Sequence, residues 1–151
     1  MNNKTFIPSN KKNTCLNRKW YVIDCTGQSL GRTSSTITKI LQGKHKVMYT
    51  PSTDMGDYVI LINAMDLTLG DVKGHTYVFQ PGRPGSSLSF KEFIDDIPER
   101  VIENCIKNMM AEGPAKRAMS KRLKIYATSD HPHMAQNPIL LSNADNIFTL
   151  S

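Results

Sequence analysis

The apolar residues in the first half of the chain alternate between strand-like and helix-like patterns. Residues 20–25 are aromatic and β-branched, which is typical of a short buried strand. From 30 to 42 the apolar positions share one helical face, and Gly43 is the residue type that commonly ends a helix. Residues 58–63 are almost continuously apolar and predict a strand that is buried on both faces. Such a strand needs a layer on each side, as in a parallel or mixed sheet.

The middle of the chain predicts a hairpin and a loop. Residues 67–69 and 75–79 have strand-like composition and are joined by a Gly-Asp turn at 70–71. Residues 80–87 are rich in Gly, Pro and Ser and predict a loop.

Helix-start signals dominate the part that follows. Ser89 and Glu92 have the spacing of a capping box, which predicts a helix from this point. Pro98 is placed to begin another helix, whose apolar positions recur until Gly113. Residues 115–126 are expected to be a basic, partly helical stretch followed by a last short strand.

This order of elements favours an α/β fold with three layers, α/β/α, around a largely parallel (mixed) sheet. The 151 residues provide room for one domain. We divide the chain into a basic extended arm at 1–19, a folded domain at 20–138 and a polar C-terminal tail at 139–151. No apolar run approaches the roughly 20 residues of a membrane-spanning helix, so no membrane partner is expected.

The charge is distributed unevenly along the chain, whose net charge is +6. Residues 1–53 carry nine cations and one acid, residues 54–112 carry five cations and ten acids, and residues 113–151 carry five cations and two acids. Both ends are therefore cationic and the middle is acidic. Such a distribution predicts a polyanionic partner that contacts both ends, with nucleic acid as the leading candidate.

Three clusters of cations carry this prediction. Between Gly113 and Ser129 there are five cations and no acid, whereas a solvated helix face normally pairs its cations with Glu or Asp four residues away. The arm and the segment Lys44-His45-Lys46 also lack acids. Several cations on phosphates release counterions together, which gives large, salt-sensitive affinity. No stacking-aromatic RNA module is evident, so recognition of the shape and backbone of folded RNA is expected.

Enzymatic alternatives have weaker support. A strand followed by Gly27-x-x-x-Gly31 and a helix is only superficially similar to a dinucleotide-binding turn, because Ser29 stands where the middle glycine is needed. A small nucleotide-binding enzyme is kept as the rival interpretation, and a free RNA-binding regulator as a third. We predict no cofactor, no small-molecule substrate and no catalytic residue.

Metal and disulfide sites are also not predicted. His131 and His133 offer two imidazoles, but a zinc site needs three or four protein ligands. Cys15, Cys25 and Cys105 are odd in number and widely spaced, which indicates a reducing compartment. Cys25 and Cys105 are predicted to lie in the core. The first residues lack the apolar region of a secretory signal.

A series of short motifs resembles the large-subunit ribosomal protein L13 family of the bacterial and plastid type. Their order and spacing over about 20–138 make the resemblance specific. The stretches are Trp20-Tyr-Val-Ile-Asp24, Leu30-Gly-Arg32, Gly43-Lys-His-Lys46, Tyr49-Thr-Pro51, Asp54-x-Gly-Asp-Tyr58, Asn63-Ala64, Pro98-Glu-Arg-Val101, Gly113-Pro114, Arg117-Ala-Met119, Leu123-Lys-Ile-Tyr126, His131-Pro-His133, Ala135-Gln136 and Pro138. One departure is the segment 80–84, where the family often has His and Gly.

The resemblance implies an α/β/α fold, no catalysis, binding to large-subunit rRNA during early subunit assembly, and neighbouring large-subunit proteins as partners. The frequent Asn, Ser, Lys and Ile residues are similar to those of a plastid-encoded copy, which predicts a ribosome in the chloroplast stroma, with the bacterial cytoplasm as the alternative. Charge and resemblance together give the predicted RNA-binding residues: Lys11, Lys12, Arg18, Lys19, Arg32, Lys44, His45, Lys46, Arg100, Lys116, Arg117, Lys121, Arg122, Lys124, His131 and His133.

Overall fold

A computed structural model describes residues 18–68, 76–78, 82–89 and 98–141 of the chain. These residues form six strands, three α-helices and two single-turn 3₁₀ helices at Ala64–Asp66 and Met134–Gln136. In chain order the main elements are β1 (Trp20–Asp24), α1 (Leu30–Gln42), β2 (Tyr58–Ile62), β3 (Thr76–Val78), β4 (Ser87–Ser89), α2 (Pro98–Met109), α3 (Pro114–Lys121), β5 (Leu123–Ile125) and β6 (Ile139–Leu141).

Four of the strands form a parallel sheet in the order β5-β2-β1-β6. The register pairs Trp20 with Tyr58 and Val59 with Leu123, so that the strands begin at the same edge. A parallel pair needs a crossover connection, and α1 supplies it between β1 and β2 while α2 and α3 lie between β2 and β5. The predicted α/β class with a largely parallel sheet is confirmed.

The core lies between this sheet and the helices α1 and α2. Alternate residues of the strands, such as Ile23 and Leu61, pack against Ile37 of α1 and Ile106 of α2 in one buried cluster. Strand residues point alternately to the two faces, which places Trp20 on the other face. Its ring stacks on that of Tyr58, with centroids 4.2 Å apart and planes 7° apart.

Helix α1 has many Ser and Thr residues, which alone are poor helix formers. Tertiary packing stabilises it, because seven of its 13 residues are buried. The buried hydroxyl of Thr38 donates a hydrogen bond of 2.8 Å to the carbonyl oxygen of Ser34, so its polarity is satisfied inside the helix. Gly43 ends the helix at a φ of 78°, in the left-handed region that glycine tolerates. The bounds predicted for this helix are confirmed.

The hairpin differs from the one predicted. Strand β3 pairs antiparallel with β4, whose last residue is Ser89. The segment near residue 68 instead joins the start of α1 through a bridge between Ser29 and Thr68. Because the pairing of short strands depends on tertiary packing, composition alone did not identify the partner. The predicted turn at 70–71 and the helix expected after Ser89 lie outside the described residues.

Contacts of the sheet extend beyond both boundaries predicted for the folded domain. Lys19 was placed in the arm, but its carbonyl oxygen accepts a hydrogen bond of 3.0 Å from the backbone N–H of Tyr58. At the other end, the boundary after residue 138 falls directly before β6, which pairs with β1 at the edge of the sheet. Lys19 and residues 139–141 therefore contact the sheet, with Leu141 buried in the core.

Candidate nucleic-acid interface

The parallel sheet brings distant cations together at the edge where its strands begin. Residues 18–19 precede β1, the loop 43–57 precedes β2, and residues 121–122 precede β5. We call the basic residues at this edge the basic edge: Arg18, Lys19, Lys44, His45, Lys46, Lys121 and Arg122. Sequence separation concealed this grouping, which follows from the shared direction of β1, β2 and β5.

One buried carboxylate, that of Asp57, organises the loop 43–57. The side chain of Asp57 is fully buried and accepts a hydrogen bond of 3.1 Å from the backbone N–H of Lys19. Its second oxygen lies 3.0 Å from Nε2 of His45, and the ammonium group of Lys46 lies 2.5 Å from its first oxygen. Burial alone would raise the pKa of Asp57, but the hydrogen bonds from His45 and Lys46 outweigh it and hold the pKa below its usual range.

A second carboxylate, that of Asp54, holds two arginines. Both terminal nitrogens of Arg122 donate to Asp54, one of them over 2.7 Å, and Arg18 donates to it over 3.2 Å. The side chain of Arg122 is only 4% exposed. Burial tends to raise the pKa of Asp54, but the hydrogen bonds and charge of Arg122, with the charge of Arg18, hold that pKa below its usual range.

The same arginine also completes the end of α1. The Arg122 guanidinium donates a hydrogen bond of 3.0 Å to the carbonyl oxygen of Leu41, one of the helix-terminal carbonyls without an intrahelical partner. A cation here also complements the helix dipole. Gly56 allows this close junction, because a Cβ atom at this position would lie 1.7 Å from the same Leu41 oxygen.

These contacts correct one premise of the sequence analysis. The cations of the basic clusters were expected to lack carboxylate partners, and this is wrong for Arg18, Lys46 and Arg122. Their partners lie 36, 11 and 68 residues away in the sequence. The expectation considered only acids four residues away, so it missed pairs that the tertiary fold creates.

Other predicted residues at this edge point to solvent. Lys19, Lys44 and Lys121 are exposed, and Arg117 lies one helical turn before Lys121 on α3, where Lys116 is half-buried. Within the described ranges, no salt bridge joins any of these five cations to a carboxylate. The fold thus holds three cations inward on Asp54 and Asp57 and leaves these five without a carboxylate partner among the described residues.

The remaining predicted cations lie elsewhere. Arg32 is exposed in the first turn of α1, at the opposite edge of the sheet. Arg100 and Lys124 line a groove of about 370 Å³ together with the carboxylates of Glu99 and Glu103, so this groove is electrostatically mixed. Lys11 and Lys12 lie outside the described residues.

His131 and His133 take part in an aromatic cluster. Nε2 of His133 lies 2.8 Å from the hydroxyl of Tyr126, and its ring lies against Trp20 with centroids 5.3 Å apart. The backbone N–H of His133 donates a hydrogen bond of 3.3 Å to Nδ1 of His131. Both rings are half-buried and make contacts within the protein. Among the described residues, no group of three or more His, Cys, Asp and Glu is arranged to hold a metal ion.

One N–H group at the start of α1 that a nucleotide site would use is already occupied. A phosphate would need the free N–H groups of the first helical turn. Here the N–H of Leu30 instead donates to the carbonyl oxygen of Thr68 over 3.1 Å. The carboxylate of Asp24 is also occupied, by Thr26 and Asn63. These contacts give the rival interpretation as a nucleotide-binding enzyme no support.

Two further observations concern a membrane-spanning segment and a reactive cysteine. None of the helices in the described segments is both long and apolar enough to cross a lipid bilayer.

Cys25 is buried, as predicted, whereas Cys105 is half-buried at the border of the core. Burial, together with the charge of nearby Asp24, raises the pKa of the Cys25 thiol to about 12. A thiol of this kind is not a nucleophile at neutral pH.

Comparison with known families decides between the remaining interpretations. The sequence model of the family described as "Ribosomal protein L13" matches residues 18–132. The chain belongs to the ribosomal protein L13 family. The match contains all residues of the basic edge together with Asp54 and Asp57, so the two ion-pair centres lie in the L13 part of the chain. The resemblance predicted from the motifs is confirmed, and the chain is a ribosomal protein.

Curated relatives of this L13 chain include bacterial and plastid-type proteins. It is 43% identical over 143 residues to the large ribosomal subunit protein uL13 of Chromohalobacter salexigens, an alignment covering 92% of this chain and 99% of the relative. The uL13 of Hahella chejuensis is 47% identical over 82% of this chain and 90% of the relative. The plastid-type uL13c of Trieres chinensis is 46% identical over 92% of this chain and 96% of the relative.

Proposed function

We propose that this L13 chain is a structural constituent of the large ribosomal subunit that binds large-subunit rRNA through its basic edge. The exposed cations of that edge, which have no carboxylate partner among the described residues, carry the proposal. Each cation placed on a phosphate releases condensed counterions and lets RNA helices approach closely. Arg18, Lys46 and Arg122 support this surface from inside, by fixing the loop 43–57 and the start of β5.

The primary contacts proposed are Lys44 on the loop and Lys121 at the end of α3. Lys19, Lys116 and Arg117 extend the same surface. Because phosphates lie on the outside of a folded RNA while most base edges are paired within it, such a surface recognises shape and backbone rather than sequence. Arg32, Arg100, Lys124, His131 and His133 remain proposed contacts from other parts of the surface, while Arg122 is assigned a supporting role because its charge is buried.

Binding to in vitro transcribed large-subunit rRNA, measured at several salt concentrations, tests this assignment. Lys121→Ala should weaken binding and reduce the slope of log K against log [salt] by about 0.7 to 0.9, the value for one lost phosphate contact. Lys107→Ala is the matched control, because Lys107 also lies near the end of a helix but pairs with Glu103 over 2.6 Å. Equal effects of the two substitutions would mean that net charge, rather than the basic edge, determines binding.

We also propose that the chain supports early assembly of the subunit. A protein that neutralises phosphates between RNA helices is needed before those helices can pack, so its contribution falls early. Depletion of the protein should therefore accumulate incomplete large subunits that sediment more slowly than mature ones. Normal sedimentation profiles after depletion would contradict this role.

Neighbouring ribosomal proteins are the second class of partner that we propose. Leu140, Ile139 and Met134 are exposed apolar residues in and just before β6, and the segment 134–141 contains no charged residue. A segment without cations suits a protein rather than a phosphate backbone. Leu140→Asp should weaken retention of the protein in large subunits during a salt wash while leaving its affinity for rRNA unchanged. A parallel loss of rRNA affinity would contradict the assignment.

We propose the chloroplast stroma as the location, with the bacterial cytoplasm as the alternative. The frequent Asn, Ser, Lys and Ile residues support a plastid-encoded protein. Identities of 43% to 47% to bacterial relatives and 46% to the plastid-type relative are similar. Mass spectrometry of ribosomes from isolated plastids of the source organism should detect the protein at one copy per large subunit. Its absence from such ribosomes would contradict the location.

A further inference from the structure

The corner of one turn in the basic edge is apolar and exposed. The backbone N–H of Tyr49 donates a hydrogen bond of 3.1 Å to the carbonyl oxygen of Lys46, so Val47 and Met48 are the two central residues of this turn. Their exposed fractions are 94% and 53%. Turn corners normally carry Gly, Pro, Asn, Asp or Ser, each of which assists the turn conformation. Val and Met offer no such assistance, and folding buries neither side chain.

The base of this turn is held firmly. Lys46 contacts the buried Asp57 and donates a hydrogen bond of 3.0 Å to the carbonyl oxygen of Met55, while His45 contacts the other oxygen of Asp57. Gly43, at the base, approaches so closely that a Cβ atom there would lie 2.7 Å from the carbonyl carbon of Met55. We call Val47 and Met48 the tip of this turn. Because its base is held in this way, the tip is already ordered before it meets a partner, so binding loses less conformational entropy.

The charges around the tip decide which class of partner it fits. Lys44 and Lys19 are exposed at the same edge, so a partner that covered the tip would have to supply anions, because desolvating a cation without an anionic partner is costly. A folded RNA offers both chemistries together, with phosphates along the rim of a groove and sugars and unstacked bases inside it. Proteins that bind nucleic acid in grooves combine cations with apolar side chains in this way.

We propose that Val47 and Met48 insert into a groove of folded rRNA and contact bases or sugars, while Lys44 contacts the phosphates beside them. This inference rests on the proposed function and adds a second, salt-independent component to the same interface. The salt dependence of binding distinguishes this apolar component from the phosphate contacts. Loss of an apolar contact lowers affinity equally at all salt concentrations, whereas loss of a phosphate contact also changes the salt slope.

The experiment compares rRNA binding of three variants at several salt concentrations. Val47→Ser combined with Met48→Ser should weaken binding about tenfold with an unchanged salt slope, as expected for removing buried apolar surface. Met65→Ser is the matched control, because Met65 is 62% exposed but lies after β2 at the opposite edge of the sheet. Lys44→Ala should change the slope. Urea unfolding should be the same for all three variants, since each changed side chain is exposed.

The outcomes separate this inference from the proposed function. If Lys44→Ala weakens binding but the Val47/Met48 double substitution does not, the groove contact is wrong and the phosphate contacts stand. If neither changes rRNA affinity, rRNA binding by the basic edge is itself wrong. If the double substitution leaves binding to free rRNA intact but weakens retention in assembled subunits, the tip contacts a neighbouring protein and the inference is overturned.

Discussion

The guanidinium of Arg122 and the carboxylate of Asp54 are joined by two hydrogen bonds, although 68 residues separate them in the sequence. The pair links the residue directly before β5 to the loop directly before β2. The same guanidinium also donates to Leu41 at the end of α1. One buried side chain thus connects three segments that the chain order keeps apart, and it does so beneath the surface proposed to bind RNA.

Removal of this guanidinium is expected to destabilise the fold. Arg122→Met should lower the free energy of unfolding by about 3 kcal/mol, because the Asp54 carboxylate and the Leu41 carbonyl both lose a buried donor. Urea unfolding at pH 7, followed by circular dichroism, measures the change. Lys121→Met removes the same charge from the adjacent exposed residue and should change the free energy by less than about 0.5 kcal/mol. Similar losses in both variants would show that the ion pair contributes nothing specific.

Stability should depend on pH through Asp54 and Asp57. Both carboxyls have a pKa held below the usual range, so the folded state binds their protons less tightly than the unfolded state. Their contribution is complete above the unfolded pKa of about 4 and is lost as the pH falls through the lowered folded pKa. Asp57→Asn should reduce this acid-dependent loss, and Asp66→Asn, at an exposed position, should not. Unfolding free energies that stay constant from pH 6 to pH 2 would contradict the prediction.

Two glycines should respond oppositely to alanine. Gly56→Ala would place Cβ against the Leu41 carbonyl, so we expect a destabilisation of about 3 kcal/mol from overpacking. Gly31→Ala in α1 meets no heavy atom within 4 Å and should be neutral or stabilising by up to about 1 kcal/mol. Thermal unfolding of both variants measures the difference. A Gly56 variant as stable as the wild type would mean that the loop and α1 are not in close contact.

The thiol of Cys25 should be unreactive in the folded protein. Its burial and its pKa of about 12 leave almost no thiolate at pH 8. Alkylation with iodoacetamide, mapped by mass spectrometry of peptides, should modify Cys25 only after unfolding in urea. Cys105, which is half-buried, should be modified faster under native conditions. Rapid native modification of Cys25 would show that β1 opens readily.

Local signals in the sequence were sufficient to predict the longer helices and strands. Helix α1 was predicted from Leu30 to Gln42 because its apolar residues share one face and Gly43 has the freedom to end it. Strand β2 was predicted because a continuous apolar run has few other solutions in an α/β fold. These predictions needed only residues a few positions apart, which is the range over which periodicity and capping act.

The features of the site that were not predicted from the sequence depend on contacts between residues that are distant in sequence. In the sequence, Asp54 and Asp57 cannot be distinguished from other acids in a loop. Their roles depend on Arg122 and Lys19, which contact them only in the folded sheet. Strand β6 has three residues, which are too few to establish a periodicity. It is extended because it pairs with the edge of β1 that β2 leaves unpaired. The separation of the cations into inward and outward groups could therefore be found only in the folded chain.

The pairing of β1 with β6 has a consequence for synthesis. The first of the described strands, β1, is paired on one side with the last of them, β6, so that side keeps unpaired N–H and C=O groups while all residues between the two strands are made. Until Ile139 arrives, Tyr21, Val22 and Ile23 form an apolar edge on which nascent chains could associate. We therefore expect a ribosome-bound chain halted before residue 139 to be held by chaperones and one halted well after Leu141 to be released from them, which cross-linking of stalled chains would measure.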